Sequence, residues 1–310
     1  MNVLLIADRP GWAYDILAKS IIRHNPDFHL SLWYIIDIRD NIEDTDFGEF
    51  DVVYFFLWYD AMRYGPQISG FDFEKTCVGV HSIASWENRN LNREQASLVC
   101  NQFAATGYIS KELGNLIQPD RGFFTPNGVE SSIFFPSPLP PREPLRLMWV
   151  GNPSVKHHGD NKGFNSIVQP VVDSFDVDQV TLHVATPENP VARERMGDFY
   201  RSNHVLICTS KHEGGPLPVV EALACGRPVI STEVGIVPEV VEHGGNGLFI
   251  QRSRQSLQKA IHQLLDEPNL LDQLANQTPP SIHTRLASET TKHYRTMFEF
   301  VFQRKRGELE

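Results

Sequence analysis

The chain has 310 residues, of which 41% are hydrophobic and 21% charged, and its formal net charge is −10. That length and composition suit two globular domains with real cores, and the acidic balance argues against nucleic acid or a strongly anionic membrane as the main partner. Up to residue 140 there are 10 Lys/Arg against 18 Asp/Glu, and beyond it 18 against 20, so a phosphate-bearing ligand is expected in the second half. Cys77, Cys100, Cys208 and Cys225 have no Cys-x-x-Cys spacing, which reads as reduced, buried thiols and a cytoplasmic protein. The chain opens on a strand pattern with no signal segment, and its longest apolar run, near 52–59, is too short to span a bilayer.

In chain order, 2–7 is a short apolar strand ending in Asp8-Arg9-Pro10-Gly11, and a helix follows with Ala13, Ile16, Leu17 and Ile21 on one face. Strand, glycine turn and helix open a doubly wound α/β unit. Gly11 alone does not make a dinucleotide fingerprint. Further strands are expected at 29–36, 51–57, 76–80 and 104–109, with a solvated acidic loop or helix face from Asp37 to Asp51. The strand ending Val78-Gly79-Val80 delivers His81 at its carboxyl end, where ligands sit in open parallel sheets; a strand-end His bonded to backbone is the plain alternative. A helix is expected over 90–103. The proline-rich stretch 135–141 then reads as a stiff linker and domain boundary.

The alternation restarts after it, with strands at 145–150, 180–185, 205–209, 227–232 and 247–250. Helices are expected at 163–175, 191–200, 237–242 and 253–265, and a final one carries Tyr294, Met297, Phe298 and Val301 at helical spacing. Within this half, residues 211–231 combine glycines, Pro216 and Pro218 with Glu213 and Glu221 eight apart. They read as a polar loop, a helix N-terminus, a short helix and a buried strand. A glycine-preceded helix tip favours phosphate, and Glu221 one turn inside it suits hydroxyl donors. A capped helix with a solvated Glu fits the spacing equally.

The stretch Glu213 to Ile230, continued by Val234-Gly-Ile-Val-Pro-Glu-Val-Val241 and Asn246-Gly-Leu248, resembles the donor-binding half of family 4 glycosyltransferases with their E-x7-E motif. Pro126-Asn-Gly-Val-Glu130 and the tail helix resemble that family's interdomain segment and C-terminal helix. The resemblance implies the GT-B fold: two α/β Rossmann-like domains facing each other across a cleft. Here they would be 1–135 on the acceptor side and 136–290 on the nucleotide-sugar side, with 291–310 crossing back to the first.

It also implies a retaining, metal-independent enzyme that moves a hexose-type sugar from a UDP- or GDP-sugar to a glycan, lipid-linked or small-molecule hydroxyl. No cofactor, no metal, no nucleic-acid partner and at most loose peripheral membrane contact are expected. Residue by residue, Glu221 would bind the ribose hydroxyls and Glu213 the transferred sugar. Gly214, Gly215 and Leu217 would offer backbone N–H groups, Lys162 would bind phosphate, Gly11 would underlie the diphosphate and His81 would stand near the reaction centre. The chain departs from the pattern at three points. Asn152 stands where the family has arginine, for which Lys156, His157 or His158 could compensate. Pro216 and Ile236 each replace a glycine. A nucleotide-sugar epimerase-like enzyme and a catalytically weak nucleotide-sugar-binding protein are the alternatives.

Overall fold

The computed structural model describes residues 1–154, 159–267, 269–277 and 280–308. Lys156, His157 and His158 lie outside them. The chain forms two compact units, one of residues 1–128 with the segment from Ala287 onward, the other Val129–Leu286.

The first unit holds a parallel sheet of β1 (Asn2–Ala7), β2 (His29–Tyr34), β3 (Val52–Phe55), β4 (Thr76–Val80), β5 (Ala105–Tyr108) and β6 (Gly122–Phe124). Their order is β2-β1-β3-β4-β5-β6. Because alternate side chains point to opposite faces, Leu4 and Ile6 enter one core with Val53, Phe55, Val78 and Val80. Val3, Leu5 and Ala7 enter the other with Val52, Tyr54 and Phe56. That second face is covered by helix Ala287–Lys305, through Tyr294, Met297, Phe298 and Val301. The Tyr294 hydroxyl donates to the Thr125 carbonyl at 3.3 Å, and Arg295 pairs with Asp27 at 2.6 Å.

The second unit holds β7 (Leu145–Val150), β8 (Val180–Ala185), β9 (Val205–Cys208), β10 (Val229–Ser231) and β11 (Gly247–Phe249). This sheet is also parallel, in the order β11-β10-β9-β7-β8. The strand order reverses between β1 and β3 in the first sheet and between β7 and β9 in the second. In open α/β sheets such switch points leave the crevice in which ligands bind.

Several elements differ from the sequence expectation. The division falls at Gly128 and not at 135. The reason is that the Val129 N–H donates to the Arg285 carbonyl and Phe134 is buried in the second core. The strand begun at His29 stops at Tyr34, and Ile35–Asp40 is helical. The helix expected over 90–103 spans Arg93–Cys100, its start fixed by a reciprocal capping box between Asn92 and Gln95. The helix at 163–175 is one π turn, Phe164–Val168, and a short α segment, Gln169–Val172. Pro170 supplies no N–H to the Ser166 carbonyl, which instead accepts from Arg254 Nε at 2.6 Å. Helices Trp58–Tyr64 and Lys111–Ile117 were not anticipated. Among the described residues no helix is long and apolar enough to cross a membrane.

One buried cation organises the linker. Arg227 is 1% exposed and, among the described residues, has no carboxylate partner within salt-bridge distance; burial pushes its pKa down to about 10. Its guanidinium donates to the carbonyls of Ser137, Pro138, Arg201 and Cys225 at 2.8–3.1 Å and to the Ser137 hydroxyl at 2.9 Å. Pro136, Pro138, Pro140 and Pro141 bring no N–H groups to this segment, and Arg227 supplies donors that fasten it. Arg227→Ala is expected to lower unfolding stability by about 3 kcal/mol, because hydrogen bonds to a charged group are individually strong and the carbonyls are left unpaired. Arg227→Lys, which keeps the charge but not the fork, should lose an intermediate amount. Urea denaturation followed by fluorescence measures both.

Candidate functional site

The switch point of the second sheet is lined by the loop after β7 and the loop after β9. Lys162 ends the first and Glu213 lies in the second, and Lys162 Nζ stands 2.6 Å from Glu213 Oε1. The same oxygen accepts the Ser210 hydroxyl at 2.9 Å. The two side chains keep 33% and 17% exposure, so the pair is accessible to a ligand.

Backbone stitching holds the loops in register. Asn161 bonds His212 on both sides, Oδ1 accepting from its N–H at 3.1 Å and Nδ2 donating to its carbonyl at 2.9 Å. The Thr209 hydroxyl donates to the Lys162 carbonyl at 2.8 Å, while Arg252 donates to the carbonyls of Thr209 and Asp160. Gly163 has φ +71°, and a Cβ there would stand 2.6 Å from Thr209 Oγ1, so the approach requires glycine.

The helix after this loop, Leu217–Ala224, begins with Pro216 at its N-cap. Its tip has fewer donors than a glycine-led one. Pro216 and Pro218 have no N–H, and the Val219 N–H bonds the Pro216 carbonyl at 3.0 Å. Leu217 is left as the N–H of the first turn for an anion. Asn152 is exposed and uses Oδ1 to accept the Ser154 N–H at 2.8 Å, so its amide organises its own loop. Gly235, at φ +53°, lets the chain pass against the Gly214 carbonyl, while Ile236 is buried in the core.

Glu221 is 3% exposed. Its Oε2 accepts the Tyr200 hydroxyl at 2.8 Å, and its Oε1 is paired with Arg193. A solvated first-turn Glu is therefore excluded. Arg193 and Tyr200 are partners of Glu221 that the sequence analysis did not single out: both fell in one expected helix, 191–200, and they lie 28 and 21 residues from Glu221.

In the first unit the expected residues behave differently. The Gly11 N–H donates to Asp15 Oδ2 at 2.8 Å, so this amide is committed inside the protein. Asp15 is 2% exposed and also accepts from Lys19 and from the Tyr34 hydroxyl. Burial pushes its carboxyl up, but the bonds from Lys19, Gly11 and Tyr34 outweigh it and hold the pKa below the usual range. A carboxylate in the first turn of helix Ala13–His24 already meets the dipole that a phosphate would use.

His81 follows β4, with its ring 4.7 Å from that of Tyr14. Nε2 is buried without a hydrogen-bond partner and stands beside Gly79. Burial pushes the ring's pKa down from 6.5 to about 3. His81 is thus a neutral ring at physiological pH and cannot act as a cation. Asp8, after β1, and Asp60, after β3, flank this unit's switch point. Burial raises both carboxyls, Asp60 to about 6 against the pull of Arg89. Asp8 read as part of the Asp8–Gly11 turn in sequence, and Asp60, just past the apolar run 52–59, was not singled out. Among the described residues no group of three or more His, Cys, Asp or Glu could hold a metal ion.

Comparisons with known proteins agree with this architecture. Residues 188–279 match the family model described as "Glycosyl transferases group 1". A D-inositol 3-phosphate glycosyltransferase of Rhodococcus erythropolis is 34% identical over 141 residues, 45% of this chain and 30% of that protein. An N-acetyl-alpha-D-glucosaminyl L-malate synthase of Bacillus anthracis is 28% identical over 148 residues, 47% of this chain and 37% of that protein. The match therefore spans well under half of either relative. Among solved structures, Anabaena HepE in complex with UDP and glucose superposes with TM-score 0.75 at 14% identity, covering 96% of this chain and 99% of that one. A sucrose-phosphate synthase of Thermosynechococcus elongatus gives 0.68 at 15% identity, over 96% and 99%. The fold, two parallel-sheet α/β domains, is that of GT-B glycosyltransferases.

The neutral His81 gives a pH signature. Between pH 6.5 and 3 the unfolded chain protonates this ring and the folded chain does not, so folded stability falls as pH drops through that window. The slope from one ring is at most about 1.4 kcal/mol per pH unit. Denaturation of wild type and His81→Gln should show a gap that shifts in favour of the variant from pH 6.5 to pH 4; a pH-independent gap would mean that the ring titrates normally in the fold.

Proposed function

We propose that this chain is a retaining glycosyltransferase that moves a hexose-type sugar from a nucleoside-diphosphate sugar to a hydroxyl acceptor. The observation that carries the reading is the Lys162–Glu213 pair at the switch point of the second unit, beside a helix that buries Glu221. Two of these three residues lie in the stretch matched by the group 1 model. Relatives of this stretch are named as glycosyltransferases or sugar-conjugate synthases, and the neighbouring structure named for UDP and glucose supports a nucleotide donor on this fold.

In this reading the nucleotide's ribose hydroxyls donate to Glu221 and the diphosphate lies near Lys162 and the Leu217 N–H. Glu213 accepts from a hydroxyl of the sugar through the carboxylate oxygen that Lys162 does not hold. The bond from the anomeric carbon to the diphosphate oxygen breaks, and negative charge builds on that oxygen. Lys162 stabilises the charge, which grows in the transition state and so accelerates the step. The acceptor hydroxyl attacks from the same face, its proton passing to the departing phosphate oxygen as the new carbon–oxygen bond forms. The charge on the leaving group is met by protein groups, with no resident metal.

A weakly turning-over nucleotide-sugar-binding protein is the second reading. It is favoured by the neutral amide at Asn152, which holds its own loop and leaves Lys162 with fewer charged partners on the diphosphate.

Lys162→Ala is expected to weaken binding of UDP or GDP by about tenfold or more, the worth of one charge-assisted hydrogen bond. Glu213→Gln should leave nucleoside-diphosphate affinity near wild type and weaken binding of the intact nucleotide sugar. Calorimetric titration with UDP, GDP, UDP-glucose and GDP-mannose reads both; unchanged affinity in Lys162→Ala together with Glu221→Ala would overturn the site.

A further inference from the structure

Both oxygens of Glu221 already have donors, and the two donors are unlike. Tyr200 is fully buried in helix Met196–Arg201, its ring packed against Phe134 and Phe199, and it holds Oε2 from the core. Arg193 holds Oε1 from a single 3-10 turn, Arg193–Arg195, and its side chain keeps 26% exposure. Its guanidinium also lies 4.7 Å over the ring of Phe134. With Glu221 at 3% exposure, the partly exposed Arg193 stands between the carboxylate and solvent. A ligand that reaches Oε1 therefore meets the guanidinium first.

We propose that Arg193 is a displaceable latch on Glu221, and that the ribose hydroxyls of the nucleotide take Oε1 in its place. The inference rests on the reading of Glu221 as the ribose acceptor. The asymmetry of the two donors makes the exchange feasible. Tyr200 keeps one oxygen paired throughout, so the carboxylate is never left wholly without a donor, which would be costly at this burial. The freed guanidinium retains the face of Phe134, where a cation is attracted to the ring, and gains hydration because it is already partly exposed. The latch makes the site discriminating. A ligand must bring donors in the geometry of a vicinal diol to repay the loss of the ion pair, so nucleotides without the diol gain nothing from opening it. Arg193 is on this account a residue that sets specificity for ribose without needing to touch the reacting atoms.

The test titrates wild type, Arg193→Gln and Glu221→Gln with UDP and GDP, each beside its 2′,3′-dideoxy counterpart. Wild type should prefer the ribonucleotide. Arg193→Gln should raise that preference about two- to fivefold, the worth of a partly exposed ion pair, by tightening the ribonucleotide and leaving the dideoxy form unchanged. Arg193→Lys, which keeps the cation without the planar fork, should fall between them and serves if the Gln variant does not fold. Equal weakening of both nucleotides in Arg193→Gln would make Arg193 a direct ligand contact and overturn the latch, as would no change in either. A wild type without ribose preference, matched by Glu221→Gln, would instead overturn the assignment of Glu221 itself.

Discussion

Lys162 and Glu213 are 51 residues apart in the chain, and their contact depends on two loops being kept in register at the carboxyl edge of one sheet. β7 and β9 are neighbours, so their loops leave the sheet side by side. Asn161, Thr209 and Arg252 then fix the loops to one another through backbone atoms. The ion pair is the consequence. Two long side chains at a surface gain little from pairing on their own, because the entropy of holding them offsets most of the attraction. Here the backbone is already ordered, so the ammonium and the carboxylate are delivered to one place at small further cost. Arg227 likewise acts on already ordered backbone, fastening a linker in which four prolines bring no N–H.

The two units carry opposite chemistry at equivalent places. At the switch point of the second sheet stand a lysine, a partly exposed carboxylate and a helix tip. At that of the first stand Asp8 and Asp60, with Asp15 spending its charge on the Gly11 amide and the helix dipole. An anion is favoured by the former arrangement and opposed by the latter. The same fold-level rule, that ligands meet the carboxyl ends of strands, thus yields a phosphate-compatible edge in one unit and a hydroxyl-compatible edge in the other. His81 belongs with the acidic edge, and its burial makes it a neutral neighbour of those carboxyls.

Much of this was legible in sequence. The β/α alternation and its restart after the proline-rich stretch reflect hydrophobic periods long enough to be unambiguous, and the apolar stripe of Tyr294, Met297, Phe298 and Val301 is the one that packs on the first sheet. Glu213 was singled out from its spacing to Glu221 and Lys162 from the family resemblance, and the structure brings them together. What was not legible is tertiary. The partners of Glu221 come from a segment whose charged pattern resembles any exposed helix. The Gly11 amide is lost to Asp15, a residue that reads as an ordinary first-turn acid. The raised carboxyls of Asp8 and Asp60 arise from burial, which no local pattern encodes. The boundary at Gly128 was masked by the prolines further on, because Phe134 commits the intervening residues to the second core.

The central claim is that a nucleoside diphosphate binds the second unit through Glu221 and Lys162. A crystal structure of the full chain with UDP or GDP tests it most directly. The account predicts the ribose hydroxyls within hydrogen-bond distance of the Glu221 carboxylate and a phosphate oxygen within reach of Lys162 Nζ. A nucleotide bound elsewhere, with Glu221 still closed by Arg193 and Lys162 still paired only to Glu213, would contradict it.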